Sequence, residues 1–539
     1  MEEILTSQTL WEGFDPDSVD LDVTVLNAVT RDGIVTKRLY FTGRELDEGK
    51  SRVYGVVCQK ATGKPHYPAV LVIHDFNKPI DERVLFDLAK RGFTAMAIDY
   101  FGEREDGLYT LYPKQLRYCN AFANQNPFDI VTSAKDIKLY EYALNSRRAV
   151  SYLLSEEQAS AVSIFGVSKG VDVATMVLGT DERVTNGVLA LGRIWRNYPE
   201  LVLKDSDNNL DKQMEYDFKS QSWMLGLAPQ TYMLQIKVPL YIIISANSTY
   251  TNVRNANKSF MRVNCVSKLL IMPKCLDYIP SKYTNGIVKW LEGHYESEHA
   301  EIAPCHEGGD YCLKVTTQLP IDKVTLWYSI NAAGRGKNWI KADLKQGDGC
   351  YYAEISLYEP NCKILAFAEI QGELPTTTKL FEDVATAQNL KKANNIIFNA
   401  ASGQVLPPVC TTGEWWNVGL EPRVGKGPLN IMGAQGKAHA CFAINDTSHR
   451  YNSTFTLGFD VYSAVKQDVT VTAICKFGEE NRCYHLSVGV FGGKWERITY
   501  EKDNFHRDVD GRPLTDNDKV DAFIISADSE FIINNILLV

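Results

Sequence analysis

Three kinds of feature are missing from this chain of 539 residues. No apolar run approaches the roughly 20 residues that a membrane-spanning helix needs, so we expect no membrane role for the sequence as given. None of the 12 cysteines forms a Cys-x-x-Cys pair, which excludes the common redox and zinc-ribbon motifs. No histidine occurs between His74 and His294, so histidine-dependent chemistry in that stretch must recruit an imidazole from elsewhere in the chain.

Metal and cofactor motifs are equally scarce. The nearest approach to a metal cluster is Cys305-His306 with Cys312, and its spacing does not match that of zinc ligands. We therefore predict no metal and no cofactor, and we expect the cysteines to be buried thiols in a reducing compartment.

The charge balance is acidic. The chain carries 57 Lys and Arg against 66 Asp and Glu, for a formal net charge of -9. No dense basic stripe offsets this balance, so we predict that nucleic acid is not a partner. The opening "MEEILTSQTLWEGFDPDSVD" is acidic and lacks the basic and apolar regions of a secretory signal. We therefore expect a cytoplasmic protein.

The first part of the chain alternates strand and helix patterns. "YPAVLVIHDF" (67–76) is a continuous apolar run typical of a buried parallel strand, and "DERVLFDLAKRG" (81–92) has helical spacing. "SRVYGVVCQK" (51–60) indicates a strand at the edge of the sheet, and "LYEYALNSRRAVSYLLSEE" (139–157) an amphipathic helix. Such alternation predicts an α/β domain over residues 1–298, with a mostly parallel sheet flanked by helices.

Two long segments interrupt this alternation. Residues 104–137 and 193–236 are rich in Tyr, Asn and Asp, and both leave the carboxyl ends of predicted strands. Open α/β sheets bind ligands at that edge, and long loops of this kind usually have a function. We interpret both segments as lids over a site, with helical decoration as the alternative.

The character of the sequence changes near residue 300. Short alternating strands separated by Gly, Asn, Asp and Pro predict an immunoglobulin-like β-sandwich over residues 299–390. A polar stretch, "QNLKKANN", leads to a second set of alternating strands, which predicts a jelly-roll β-sandwich over residues 391–539.

The segment "SIFGVSKGVDVATMVLG" (163–179) carries the strongest chemical signal. Gly166 and Gly170 flank Ser168 in a Gly-x-Ser-x-Gly motif between a strand pattern and a helix pattern. This is the arrangement of a nucleophile elbow, in which a strained turn lifts a serine hydroxyl above the edge of the sheet.

With this motif in its context, residues 10–295 resemble the α/β-hydrolase superfamily, and more narrowly its acetylxylan-esterase and dienelactone-hydrolase-like branch. The resemblance rests on "YPAVLVIHDF", "YPKQLRYCNAF", "LNSRRAVSYL" and the elbow. It implies that Ser168 is the nucleophile position. It also implies that the backbone amides of Lys169, and of Asp75 or Phe76 in the loop after His74, form the oxyanion hole.

The rest of the implied catalytic triad is missing. The acid should follow "VPLYIIISA", but the next segment is "NSTYTNV", with Thr249 near the expected place. The histidine should follow "SKLLIMPK", but Asp277 stands at about that position. In addition, the carboxylate of Asp75 would repel the negative charge that an oxyanion hole stabilises.

Several further residues have two interpretations. His74 and Asp99 end successive strands and are predicted at the pocket rim, with His74 more readily explained as bonded to backbone. Trp415 and Trp416 offer faces for sugar stacking, although tryptophans of small sandwiches are more often core residues. Carbohydrate-binding jelly rolls carry a calcium-ligand aspartate in a last strand like this one, and Asn534 and Asn535 replace it here, so a calcium site is unsupported.

The sequence leaves three functions open. The first is a degenerate esterase-like hydrolase that keeps Ser168 and binds a small ester or a carbohydrate. The second is an active carboxylic-ester hydrolase of acetyl-esterase type with an unconventional base. The third is a structural protein whose sandwiches mediate oligomerisation. Because acyl transfer of this kind needs nucleophile, base and orienting acid together, we favour the first hypothesis.

Overall fold

A computed structural model describes most of the chain. The described residues are 2–62, 67–105, 107–123, 125, 129–196, 217–296, 298–307, 310–331, 334–386, 389–416, 419–449, 454–478 and 482–539. Residues 197–216, in the second predicted lid, lie outside the described residues. The first predicted lid contains short 3₁₀ turns at Lys114–Cys119, Ala121–Ala123 and Ala134–Asp136. The lid role of both segments stays a prediction.

A nine-stranded mixed sheet dominates the first half of the chain. Its strands are β1 (Thr24–Arg31), β2 (Ile34–Leu46), β3 (Gly49–Lys60), β4 (Ala69–Ile73), β5 (Thr94–Ile98), β6 (Val162–Val167), β7 (Val184–Ala190), β8 (Leu240–Ser245) and β9 (Ser267–Met272). Their helices are α1 (Glu82–Lys90), α2 (Lys138–Ser155), α3 (Gly170–Thr180), α4 (Phe218–Gly226), α5 (Pro229–Tyr232), α6 (Val253–Phe260) and α7 (Ser281–Leu291).

The strand order is β1-β2-β3-β5-β4-β6-β7-β8-β9. The strands from β5 through β4, β6, β7 and β8 pair in parallel, whereas β1, β2, β3 and β5 pair antiparallel. Every residue of β4, β5, β6 and β8 is buried, as expected of parallel strands covered on both faces. This is an α/β-hydrolase fold, as the sequence predicts.

The prediction that residues 51–60 form an edge strand is wrong. β3 lies between β2 and β5, and the edge on this side is β1, all of whose residues are exposed. The β1–β2 hairpin extends the sheet beyond the apolar strands that the sequence pattern picks out. Since β1 buries neither face, its sequence shows none of the alternation by which half-buried strands are recognised.

The chain divides into two compact units. The first unit comprises Met1–Ile243, Asn255–Lys268 and Gly286–Tyr295, and the second comprises Ile244–Arg254, Leu269–Asn285 and Glu296–Val539. The domain boundaries predicted at residues 298 and 390 stay a prediction.

Helix α2 shows how the first unit buries charge. The sequence predicts an amphipathic helix, but every residue from Leu139 to Leu153 is buried. Arg148 donates hydrogen bonds to the backbone oxygens of Thr42 at 3.0 Å and of Asp20 at 3.1 Å, and also to that of Pro16. Because the N-terminal segment supplies these acceptors, the polar face of α2 is covered rather than exposed to solvent.

Asp81 stabilises the N-terminus of α1 as its capping residue. The side chain of Asp81 caps the helix by accepting a hydrogen bond from the amide of Arg83 at 3.1 Å. We expect Asp81→Ala to lower the free energy of unfolding of the first unit by about 1 kcal/mol, because a helix amide loses its acceptor. Asp81→Ser keeps an acceptor and should retain most of that stability in urea denaturation. Equal losses in both variants would contradict the capping role.

The second unit contains antiparallel β-sandwiches, as predicted. Two sheets pack around one apolar core, with strand orders β10-β11-β15-β14 and β13-β12-β16-β17, and with β18 also paired to β16. Their strands are β10 (Ala300–Glu307), β11 (Asp310–Thr317), β12 (Val324–Ile330), β13 (Ile340–Lys341), β14 (Lys345–Gly347), β15 (Cys350–Glu354), β16 (Asn361–Ile370), β17 (Thr376–Thr377) and β18 (Phe381–Thr386).

The C-terminal strands form a second sandwich around a separate apolar core. The long last strand, β26, pairs with β23 through its first half and with β22 through its second half, while β21 pairs with both halves. The strands are β19 (Ile396–Phe398), β20 (Val424–Lys426), β21 (Met432–Cys441), β22 (Thr456–Ser463), β23 (Gln467–Cys475), β24 (Arg482–Val490), β25 (Trp495–Glu501) and β26 (Val520–Leu538).

A search of the described helices for membrane spans is negative: none combines the length and the apolar character needed to cross a bilayer.

Candidate active site

The nucleophile elbow is built as the sequence predicts. Ser168 follows β6 directly, precedes α3, and has a φ of 54°, a left-handed conformation that is uncommon for a residue with a side chain. Its amide donates to the carbonyl oxygen of Ala190 at 3.0 Å, which ties the turn to the end of β7. The side chain is half-buried, so its hydroxyl lies at the carboxyl edge of the parallel strands.

Both motif glycines are required by close packing. A Cβ atom on Gly170 would meet the backbone oxygens of Ile73 and His74, and one on Gly166 would meet the side chain of Ala174. The absence of side chains at these two positions therefore lets α3 approach β4 and β6 closely. Lys169 stands at the N-cap position of α3 and is half-buried, and the oxyanion-hole role implied for its amide stays a prediction.

The hydroxyl of Ser168 donates a hydrogen bond to a carboxylate. The acceptor is Oδ2 of Asp75, at 3.1 Å from Ser168 Oγ. Asp75 is only 5% exposed and stands two residues after β4, in the loop that the sequence predicts as the oxyanion loop. Its Oδ1 atom accepts from the amide of Asn77 at 3.0 Å, and its backbone oxygen from the amide of Lys78 at 2.9 Å. Phe76, also in this loop, packs its ring against Tyr142 at 5.5 Å.

His74 makes its contacts with the backbone. Nδ1 lies 3.0 Å from the carbonyl oxygen of Asp75, and Nε2 lies 3.0 Å from that of Ile98. The residue is 5% exposed, and burial lowers the pKa of the imidazole, against the opposing effect of the two carbonyls. With both ring nitrogens occupied, His74 has no free nitrogen with which to accept a proton from Ser168.

Asp99 organises the loop that follows β5. Its Oδ2 atom accepts from the amides of Thr110 at 2.8 Å and Gly102 at 3.1 Å, and Arg104 lies 3.5 Å from Oδ1. The carboxylate is fully buried among these donors. Asp99 therefore stabilises the start of the first predicted lid, and its hydrogen bonds within the described residues do not include one to an imidazole.

Asp277 and Thr249, which stand at the implied triad positions, bind each other in the second unit. Ser248 Oγ donates to Asp277 Oδ1 at 2.7 Å, while the amide of Thr249 donates to Oδ2 at 3.1 Å and its hydroxyl donates to the same atom. Arg335 donates to the carbonyl oxygen of Thr249. Burial raises the pKa of Asp277, and these hydrogen bonds together with the charge of Arg335 counteract that shift.

The described hydrogen-bond donors to Asp277 include no histidine, so this network is not arranged as a triad. In a working triad an acid accepts from a histidine, which in turn accepts from the serine. Here all the donors converge on Asp277 and are hydroxyl and amide groups, none of which can relay a proton from a nucleophile as an imidazole does. In the described residues, the Ser168 hydroxyl donates to Asp75, and Asp277 accepts from Ser248 and Thr249.

The carboxylate of Asp75 beside Ser168 would oppose a negative charge that forms there. Attack on an ester carbonyl creates an oxyanion beside the nucleophile. At an effective dielectric constant of about 20, two negative charges about 4 Å apart repel by about 4 kcal/mol. A barrier raised by that amount slows a reaction roughly a thousandfold. Asp75 would therefore oppose the charge that an oxyanion hole is built to stabilise.

The residues predicted to bind a ligand in the C-terminal sandwich make contacts with other residues of the protein. Trp416 is 8% exposed and packs edge-on against the half-buried Trp415, with ring centroids 5.8 Å apart. Asn534 Oδ1 accepts from the amide of Ala400 at 2.9 Å, and Asn535 Nδ2 donates to Asp460 at 2.7 Å. Sugar stacking at the tryptophans stays a prediction and is confined by burial to Trp415.

Within the described residues, no group of three or more His, Cys, Asp or Glu side chains is arranged to hold a metal ion. Cys305 and Cys312 face each other as partners in the β10–β11 pair, and the ring of His306 packs edge-on against Tyr311.

No protein-family model and no curated protein matches the chain. Among solved structures, it is similar to acetyl xylan esterase 1 from Thermoanaerobacterium sp. JW/SL YS485 at 14% identity, over 52% of this chain and 90% of that one, with a TM-score of 0.40. It is also similar to the acetyl xylan esterase from Paenibacillus sp. R4 at 14% identity, over 53% and 92%, with a TM-score of 0.40.

A third similar structure is a putative dienelactone hydrolase from Klebsiella pneumoniae subsp. pneumoniae MGH 78578, at 10% identity, over 46% of this chain and 88% of that one, with a TM-score of 0.31. These neighbours are of the kinds that the sequence resemblance names. The assignment of the fold itself rests on the strand order and on the elbow at Ser168.

Proposed function

We propose that this chain is a non-hydrolytic, esterase-like α/β-hydrolase-fold protein, which binds a small ester or carbohydrate without cleaving it. The observation that carries the proposal is the 3.1 Å hydrogen bond from Ser168 Oγ to Asp75 Oδ2. It directs the hydroxyl proton of Ser168 toward a carboxylate, which is in general a weak base for an alcohol.

Two further observations support the proposal. The imidazole of His74 is engaged by two backbone carbonyls, and the position implied for the triad histidine is held by Asp277, itself saturated by hydroxyl and amide donors. An elbow without base and orienting acid keeps only a small residual rate, several orders of magnitude below that of an intact triad. The structural and oligomerisation hypothesis stays a prediction.

The test compares the chain with Ser168→Ala. We expect p-nitrophenyl acetate turnover to be equal in the two proteins, and a fluorophosphonate probe to label Ser168 no faster than it labels other surface hydroxyls. Both readouts are required because hydrolysis of an activated ester also occurs at unrelated nucleophiles, such as exposed lysines.

Rapid fluorophosphonate labelling at Ser168, with multiple turnovers that Ser168→Ala abolishes, would contradict the proposal and favour the active-hydrolase alternative. Asp75→Asn, with no charge beside Ser168, would show separately whether repulsion alone suppresses labelling.

A further inference from the structure

The second unit encloses a cavity of about 740 Å³ that the proposed function does not use. Its walls come from the end of β9, from β12 and the segment leading into β13, and from β19 and the end of β21. The volume lies within the range of about 300 to 1,000 Å³ that is usual for small-molecule sites. An inorganic ion would fill only a small part of it.

Three lysines line this cavity, of which Lys341 is exposed and Lys274 and Lys337 are not. Lys337 is 1% exposed, its amide donates to Asn247 Oδ1 at 2.9 Å, and its ammonium donates to the carbonyl oxygen of Gly334. Lys274 follows β9 in a left-handed conformation with a φ of 52° and is half-buried. In the part of the chain that the structure describes, the ammonium of Lys274 has neither a hydrogen-bond partner nor an ion-pair partner.

Asp446, the carboxylate that raises the pKa of Lys274, already accepts other hydrogen bonds. Asp446 accepts from Asn338 Nδ2 at 2.8 Å through one carboxylate oxygen and from the amide of Ser448 at 2.9 Å through the other. A lysine held in low-dielectric surroundings without a counter-ion is costly to keep charged. An anionic group entering the cavity would supply the missing partner.

Burial has the expected effect on both ammonium groups. It lowers the pKa of Lys337 to about 7, where Arg254 and Arg335 lower it further and Glu382 opposes the shift. It lowers the pKa of Lys274 to about 8, against the opposing effects of Cys441 and Asp446. Near neutral pH, Lys274 is therefore mostly protonated, and Lys337 can take up a proton when an anion arrives.

The remaining walls suit a polar ring better than a simple anion. Trp327 is half-buried and fixed by a hydrogen bond from Nε1 to Glu369 at 3.0 Å, and Trp339 is fixed by one from Nε1 to the oxygen of Ala246 at 3.2 Å. His449 lines the same cavity, and its Nδ1 atom is buried without a hydrogen-bond partner among the described residues. Flat aromatic faces and unfilled polar atoms are what bind the ring and the hydroxyl groups of a sugar.

We propose that this cavity binds a sugar acid, with the carboxylate held by Lys274 and Lys337, the ring against Trp327, and a hydroxyl group on His449. This site is independent of Ser168 and of the proposed function, and it requires no chemistry at the elbow.

The test is isothermal titration calorimetry of the full chain near neutral pH with D-glucuronate and D-galacturonate, beside D-glucose and inorganic phosphate. We expect at least one of the two sugar acids to bind about tenfold or more tightly than glucose and than phosphate, because only a sugar acid satisfies both lysines and the ring surface. Lys274→Met and Lys337→Met should each weaken that binding by about tenfold or more, the loss expected for one charge-assisted hydrogen bond.

Lys345→Met is the matched control, since Lys345 lies on β14 with 76% of its side chain exposed and outside the cavity lining. It should leave binding unchanged, and thermal melting of all three variants shows whether each is folded. Absence of binding of both sugar acids at millimolar concentration would overturn the proposal. Equal affinity for phosphate, equal affinity for glucose, or equal loss in Lys345→Met would overturn it as well. None of these outcomes bears on ester turnover at Ser168.

Discussion

Gly170→Ala should destabilise the first unit by about 3 kcal/mol, at the upper end of what overpacking costs. The added methyl group would meet the carbonyl oxygens of Ile73 and His74, which belong to the backbone at the end of β4. Backbone atoms in the centre of a sheet cannot move aside as the end of a flexible side chain can. The start of α3 would therefore have to shift, and with it the strained turn at Ser168.

Hydrogen exchange of peptides from β6 and α3, together with urea denaturation, measures this effect locally. A local probe is needed because a chain with two compact units need not unfold in a single transition. Gly372→Ala is the control, since a Cβ atom at Gly372 would meet no atom within 4 Å. Similar small losses of stability in both variants would show that the packing of Gly170 against the end of β4 leaves room for a methyl group.

The stability of the second unit should rise with pH between about 7 and about 8.5, by on the order of 1 kcal/mol per pH unit. The folded-state pKa values of Lys337, about 7, and of Lys274, about 8, lie below the ordinary value of 10.5. In this window the unfolded chain therefore binds more protons than the folded chain, and raising the pH favours the folded state. Above about pH 8.5 the thiols of the unfolded chain begin to ionise, so the window ends there.

Lys337→Met tests the origin of this slope. Removal of a buried amine that is costly to protonate should stabilise the second unit at neutral pH, on the order of 3 kcal/mol, and should flatten the pH dependence. Denaturant midpoints measured at several pH values for wild type, Lys337→Met and Lys345→Met provide the comparison. An unchanged slope in Lys337→Met, or one reduced equally in Lys345→Met, would assign the effect to other groups.

Local sequence patterns determined the framework of this protein. Continuous apolar runs such as 67–76 predict the central strands because a parallel strand covered on both faces must be apolar throughout. The elbow could be predicted because its requirements lie within five consecutive residues, two of them glycines at positions where a side chain would collide with neighbouring elements. The expectation that the triad histidine is missing also came from the sequence alone, because the chain order of the family that it resembles implies where that residue should stand.

Tertiary structure decided the rest. Strand β1 is exposed and the polar face of α2 is buried because of the segments that do or do not cover them. The periodicity of apolar residues within an element does not show which other segment packs against it. The Ser168–Asp75 hydrogen bond joins residues 93 positions apart, and the cavity is lined both by Lys274, which follows β9, and by Lys337, which precedes β13. Local patterns of burial and conformation in the sequence determined the strands, the helices and the elbow. Contacts between distant residues arose only when the sheets packed.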